Sequence, residues 1–205
     1  METQTRHVKR KEIGLSNMEK SRNLESGILV QGISATITLF AFQMFAGKLG
    51  WAAADLFSYD TVDPNNLFGR LSVHHLTQML IALAVILVIH LTFQTDFGFH
   101  LGDKEAAMRY FLLFTGVVAV IALVYHILME IIGQPITHNY PLTARNIIGN
   151  LGFQLLLSGP SEEILYRALP VTVIVLALGK SIYFSKHITL EVVVAALLFT
   201  AAHIR

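Results

Sequence analysis

There is no cysteine anywhere in the chain, so neither a disulfide framework nor a thiolate metal site can hold it together. Charge is scarce too: Asp, Glu, Lys and Arg make up 14% of the residues, against about 25% in a typical soluble protein. The net charge of +1 argues against nucleic acid, which would call for a clustered basic face, and nucleic-acid partners are not expected. No signal peptide is expected either, because Met1 to Ser26 is polar and charged throughout. Internal repeats and low-complexity tracts are missing as well.

What the chain has is apolar residues, 54% of the total, with a mean hydropathy of +0.58. They come in runs rather than amphipathic stripes. A bilayer core about 30 Å thick needs roughly 20 apolar residues at 1.5 Å rise each. Gly27 to Gly47 satisfies this with Gln31 and Gln43 as its strongly polar members. Leu76 to Phe93 is a second span, interrupted by Thr77, Gln78 and His90, and Tyr110 to Ile132 is a third. Ile147 to Leu178 would be about 48 Å long if wholly helical, and it carries Glu162, Glu163 and Arg167 in its middle. Gly159-Pro160 is expected to kink or restart it, since proline cannot donate the backbone bond of a helix interior. The last run, Ile188 to Arg205, is still apolar where it stops and reads as a helix cut short. The expected fold is all-α, a polytopic transmembrane helix bundle in a lipid bilayer. It divides into a basic tail (1–26), three N-terminal transmembrane helices (27–146) and a final region (147–205).

Lys and Arg near the spans set the orientation. Arg6, Lys9, Arg10, Lys11, Lys20 and Arg22 crowd the tail, whereas the first loop carries Asp55, Asp60 and Asp63. A cytoplasmic tail puts Lys104, Arg109, Lys180 and Lys186 on the same side and leaves Lys48, Arg70 and Arg145 outside. The expected location is a cell (inner) membrane, crossed several times, with the N-terminus in the cytoplasm. The tail reads as a topology signal rather than a lipid- or partner-binding element.

The candidate chemistry lies in Ser158-Gly159-Pro160-Ser161-Glu162-Glu163-Ile164-Leu165-Tyr166-Arg167. Each charged side chain near a bilayer centre costs about 2.5–3.5 kcal/mol on insertion scales. Flanking Leu and Ile return only about 0.3–0.6 kcal/mol apiece, so the charges must pair, face a wet cavity or lie at an interface. Glu163 and Arg167 are four residues apart, share a helix face and can form an ion pair. Glu162, rotated about 100° away, is the spare carboxylate and suits a general base. In the last run, Phe199 and His203 also share a face, so the ring can wedge the imidazole in place. Glu162 with His203 could hold and deprotonate a water.

Glu162-Glu163-x-x-x-Arg167 followed by Phe199-x-x-x-His203 resembles the first two signature motifs of the CPBP (Abi) family, the type II CAAX prenyl endopeptidases and bacteriocin-processing enzymes. The resemblance covers about Ile147 to Arg205. It implies an all-helical intramembrane protease, a glutamate-type endopeptidase acting on a membrane-associated peptide such as a prenylated CAAX protein or a leader peptide. Carried over, Glu162 and His203 activate the attacking water, Glu163 and Arg167 are the structural pair, and Tyr166 stands where an aromatic residue is usual. The family's later motifs, a His and an Asn or Asp, have no counterpart in these 205 residues. The chain is accordingly expected to be a fragment or an inactive relative, and a non-catalytic scaffold or immunity-type binder is the alternative function. A transporter is weaker, for want of paired broken helices.

Structural readings compete at each position. Glu162 and Glu163 could be first-turn residues of a helix that begins at Pro160, and His203 could be a helix-packing residue. His126 and Glu130 read as an interface pair. His74, His75 and His90 read as interfacial, because adjacent histidines on a helix point in different directions. No cofactor is expected; zinc is the lesser alternative, since no His-Glu-x-x-His pair supplies its ligands.

Overall fold

The computed structural model describes residues 2–100, 102–137, 140–186 and 188–204, with side chains from residue 27 onward. The basic side chains of the tail, Met1 and Arg205 therefore lie outside the described residues. The molecule is mostly helical: α1 (Glu2–Ala54), α2 (Gly69–Phe93), α3 (Lys104–Ile131), α4 (Ala144–Phe153), α5 (Gly159–Glu162), α6 (Leu169–Leu178) and α7 (Leu190–His203). An antiparallel hairpin of β1 (Tyr183–Ser185) and β2 (Ile188–Thr189) precedes α7. This hairpin corrects the expectation of a purely helical fold, and it takes up the first residues of the expected fifth span.

Among the described residues, three helices are long and apolar enough to cross a membrane: Gly27–Ala54 within α1, α2, and α3. Tail and first span are one uninterrupted helix, so the expected boundary at residues 26 and 27 is not a break in the backbone. The second span begins earlier than hydropathy indicated. Asp63 explains why: its Oδ1 accepts the N–H of Leu67 at 2.9 Å, and its Oδ2 accepts those of Phe68 and Gly69, each at 2.7 Å. Donors that a helix start leaves unpaired are thereby satisfied, and Arg70, His74 and His75 are drawn into α2. α3 buries no residue at all, so its apolar surface is exposed on every side. Such a helix is suited to a hydrocarbon surround.

From Ala144 to Leu178 the backbone stays helical, but not uniformly α. Gln154–Ser158 and Glu163–Ala168 are π-helical. Gly159 N–H bonds Gln154 O, and Leu169 N–H bonds Ile164 O, both across five residues. Each π segment ends two residues before a proline, Pro160 and Pro170. Proline brings no N–H, and its ring collides with the carbonyl four residues back; a wider turn removes the collision. The helix therefore does not restart at Gly159-Pro160. Ser158 and Gly159 keep helical dihedrals (φ −59, ψ −59 and φ −54, ψ −56), and Glu162 is not at the exposed start of a new helix.

The core joins α1, α2, α6 and α7 through Leu39, Ile86, Leu169, Ile174, Leu178 and Leu198, with Phe97 from the segment after α2. A smaller cluster of Ala46, Ala82 and Leu165 lies where α1, α2 and the second π segment meet. Small residues permit this approach. A Cβ on Gly50 would stand 2.9 Å from the His74 carbonyl, and one on Gly32 would stand 2.8 Å from a Leu178 methyl.

Candidate functional site

Beside the small cluster, α1, α2, the π-interrupted helix and α7 enclose a cavity of about 440 Å³, within the range of small-ligand sites. Glu162, Tyr166 and His203 line it with His74, His75 and Gln78 of α2 and Gln43, Lys48 and Trp51 of α1. The structure thus brings together the two residues expected to activate water, though they come from separate helices.

Glu162 is half-buried, and its Oε1 accepts a hydrogen bond from Ser158 Oγ at 3.2 Å. His203 is fixed from two directions. Its Nδ1 lies 2.8 Å from Phe199 O; a carbonyl only accepts, so Nδ1 carries a proton, and in the neutral tautomer Nε2 is the lone-pair nitrogen. Its ring packs on Phe199 at 4.3 Å between centroids, and Tyr166 meets both rings, edge-on to Phe199 at 5.5 Å and tilted to His203 at 5.7 Å. Tyr166 also shares a hydrogen bond with Gln78.

Glu163 and Arg167 point elsewhere. Arg167 Nη1 lies 2.8 Å from Glu163 Oε1, the ion pair that their spacing allows, and both side chains are exposed. With Phe199, Tyr166, Val171, Val192 and Ala195 they line a second cavity of about 530 Å³. Glu162 borders this one too, and so forms part of the wall of each.

His74 and His75, read from the sequence as interfacial, both line the Glu162 cavity. They do point apart. His74 stacks on Trp51 of α1 at 4.0 Å, while His75 meets Phe153 edge-on at 5.2 Å and places Nδ1 2.7 Å from Ser161 Oγ. Gln43 is also part of this wall: buried, it donates from Nε2 to Leu165 O at 3.3 Å inside the second π segment, while its Oε1 has no partner among the described residues. For Gln43 the signal was present in the sequence as a polar side chain inside an apolar run, whereas His74 and His75 stand just before one. What hydropathy lacks is the face on which each one sits.

His126 bonds the carbonyl of Ala122 on its own helix, and His90 bonds that of Thr95; neither lines the Glu162 cavity. Among the described residues, no three His, Cys, Asp or Glu side chains come close enough together to hold a metal ion. Comparison with protein-family models, with curated proteins and with solved structures finds no match for this chain.

Proposed function

We propose that this protein is a multi-pass membrane endopeptidase of the CPBP type, which hydrolyses a peptide bond of a membrane-associated substrate with water activated by Glu162 and His203. One observation carries the reading: a carboxylate and an imidazole from separate helices border one polar-lined cavity in a molecule whose long helices are apolar. Ionisable groups inside apolar spans are costly and mark functional pathways. Glu162 takes a proton from water as the oxygen attacks the carbonyl carbon, and it returns that proton to the amine as the C–N bond breaks. His203 orients the water through Nε2, its Nδ1 proton being held by Phe199 O.

In this reading α1, α2, α3 and the π-interrupted helix cross the bilayer of a cell (inner) membrane with the N-terminus in the cytoplasm, and the Glu163–Arg167 pair is structural. The test uses the full-length protein in proteoliposomes with a prenylated CAAX peptide and a panel of leader-type peptides. Glu162→Gln and His203→Ala should each lower the rate by at least about 10²-fold. Cleavage at the wild-type rate by either variant rejects the assignment. A stable membrane partner recovered with no peptide turned over would favour the scaffold reading instead.

A further inference from the structure

Hydrolysis brings two protons with each water, and the proposed reaction gives a destination to only one. The first passes through Glu162 to the leaving amine. The second remains on the hydroxyl of the tetrahedral adduct and must leave when that adduct becomes a carboxylate. We infer that His75 accepts this second proton at Nε2, an assignment that rests on the peptidase reading.

Local geometry makes His75 a fixed base. Ser161 Oγ donates to Ser158 O at 3.0 Å, so its one proton is committed. With that donation made, the ring donates across the 2.7 Å contact from Nδ1 to Ser161 Oγ. In the neutral ring Nε2 then holds a lone pair. Phe153 and His74 press on the ring edge-on at 5.2 and 5.3 Å, and Ser161 is buried at 1% exposure. The titratable and charged groups sharing the cavity are Lys48 of α1, His74 of the same helix, Glu162 and Tyr166 of the long helix, and His203 of α7.

The step balances. As the adduct collapses, the C–N bond breaks and the amine nitrogen takes the proton held by Glu162. In the same collapse the adduct's hydroxyl proton passes to His75 Nε2, so the carbonyl product leaves directly as a carboxylate. The imidazolium then returns that proton to solvent, and no oxidant or metal enters.

A structural role would look different, and one substitution separates the two. In His75→Asn the amide nitrogen replaces Nδ1 and keeps the bond to Ser161, while nothing replaces Nε2. In the full-length protein, cleavage of the peptide panel should fall about 10- to 100-fold, and the acid limb of the kcat/KM profile should lose one ionisation. Ser161→Ala, which removes the bond but keeps the ring, should retain that ionisation and lower thermal stability. In parallel, diethyl pyrocarbonate, which modifies unprotonated imidazole, should label His75 in the wild-type protein by mass spectrometry. An unreactive His75, or a His75→Asn variant with wild-type rate and profile, overturns the inference while leaving Glu162 and His203 in place. Cleavage undiminished in Glu162→Gln, or none by the wild-type protein on any peptide, overturns the peptidase reading, and the His75 role falls with it.

Discussion

Adjacent carboxylates at 162 and 163 meet different partners: a serine hydroxyl at 3.2 Å for the first and a guanidinium at 2.8 Å for the second. That difference yields opposite expectations for two neighbouring residues. In the membrane reading, Arg167→Gln leaves Glu163 unpaired at a cost of about 2.5–3.5 kcal/mol, and the amount of inserted protein should fall. The double variant Glu163→Gln/Arg167→Gln should recover that loss, as measured by membrane-fraction yield. No recovery would mean that the pair does more than neutralise itself. Asp63, in the loop before α2, behaves as a third kind of carboxylate. Burial alone would raise its pKa, but three backbone N–H donors outweigh this and hold it below the usual carboxylate value. A lowered folded-state pKa means stability fully present above about pH 4 and lost as pH falls through the folded value. Thermal unfolding in detergent should therefore weaken below pH 4 more steeply in the wild-type protein than in Asp63→Asn. Equal slopes would remove Asp63 from the account.

Among the elements, the π segments matter most. Each inserts one wide turn ahead of a proline, and between them lies the short α5 that carries Ser161 and Glu162. Without that widening the register of the helix would change, and the residues presented to the cavity would change with it. Pro160→Ala should leave stability equal or higher, since proline is about 3 kcal/mol worse than alanine in an ordinary helix interior. Peptidase activity should drop by about 10-fold or more as the turn narrows and Glu162 rotates. Turnover measured beside thermal unfolding decides this, and wild-type turnover in Pro160→Ala would count against it. The sequence announced the prolines but not their effect, because hydropathy and motif spacing both assume a constant helix. Its runs did locate the long apolar helices, and the intervals 163/167 and 199/203 did pair the side chains that touch. The start of α2 was misplaced because a capping aspartate acts through geometry that composition does not register. The same misplacement left His75 outside the second span, and hydropathy gave no sign that it stands within bonding distance of the turn bearing Glu162.

At the scale of the whole molecule, apolar surface predominates outside. α3 buries nothing, and large side chains such as Leu87, Phe111, Ile121 and Leu155 are more than half exposed. Water would not favour such a surface, but hydrocarbon would. The absence of cysteine from these 205 residues makes the proposed orientation straightforward to check, since a thiol introduced among them has no other beside it there. Cells carrying Ser16→Cys should resist a membrane-impermeant maleimide until lysed, whereas Ser58→Cys, in the loop between α1 and α2, should react from outside. Reversed labelling would invert the orientation; equal labelling of both would mean that the first span does not separate them.

Glu162 borders two cavities with different walls. One is furnished with histidines and glutamines, and the other mixes an ion pair with valines, alanines and a phenylalanine. Within a bilayer, a hydrolase must deliver two reagents that do not mix to the same atom. A carboxylate set into a shared wall can be approached by a hydrophilic traveller through one door and by a lipophilic one through the other. Neither then has to cross the other's territory to arrive.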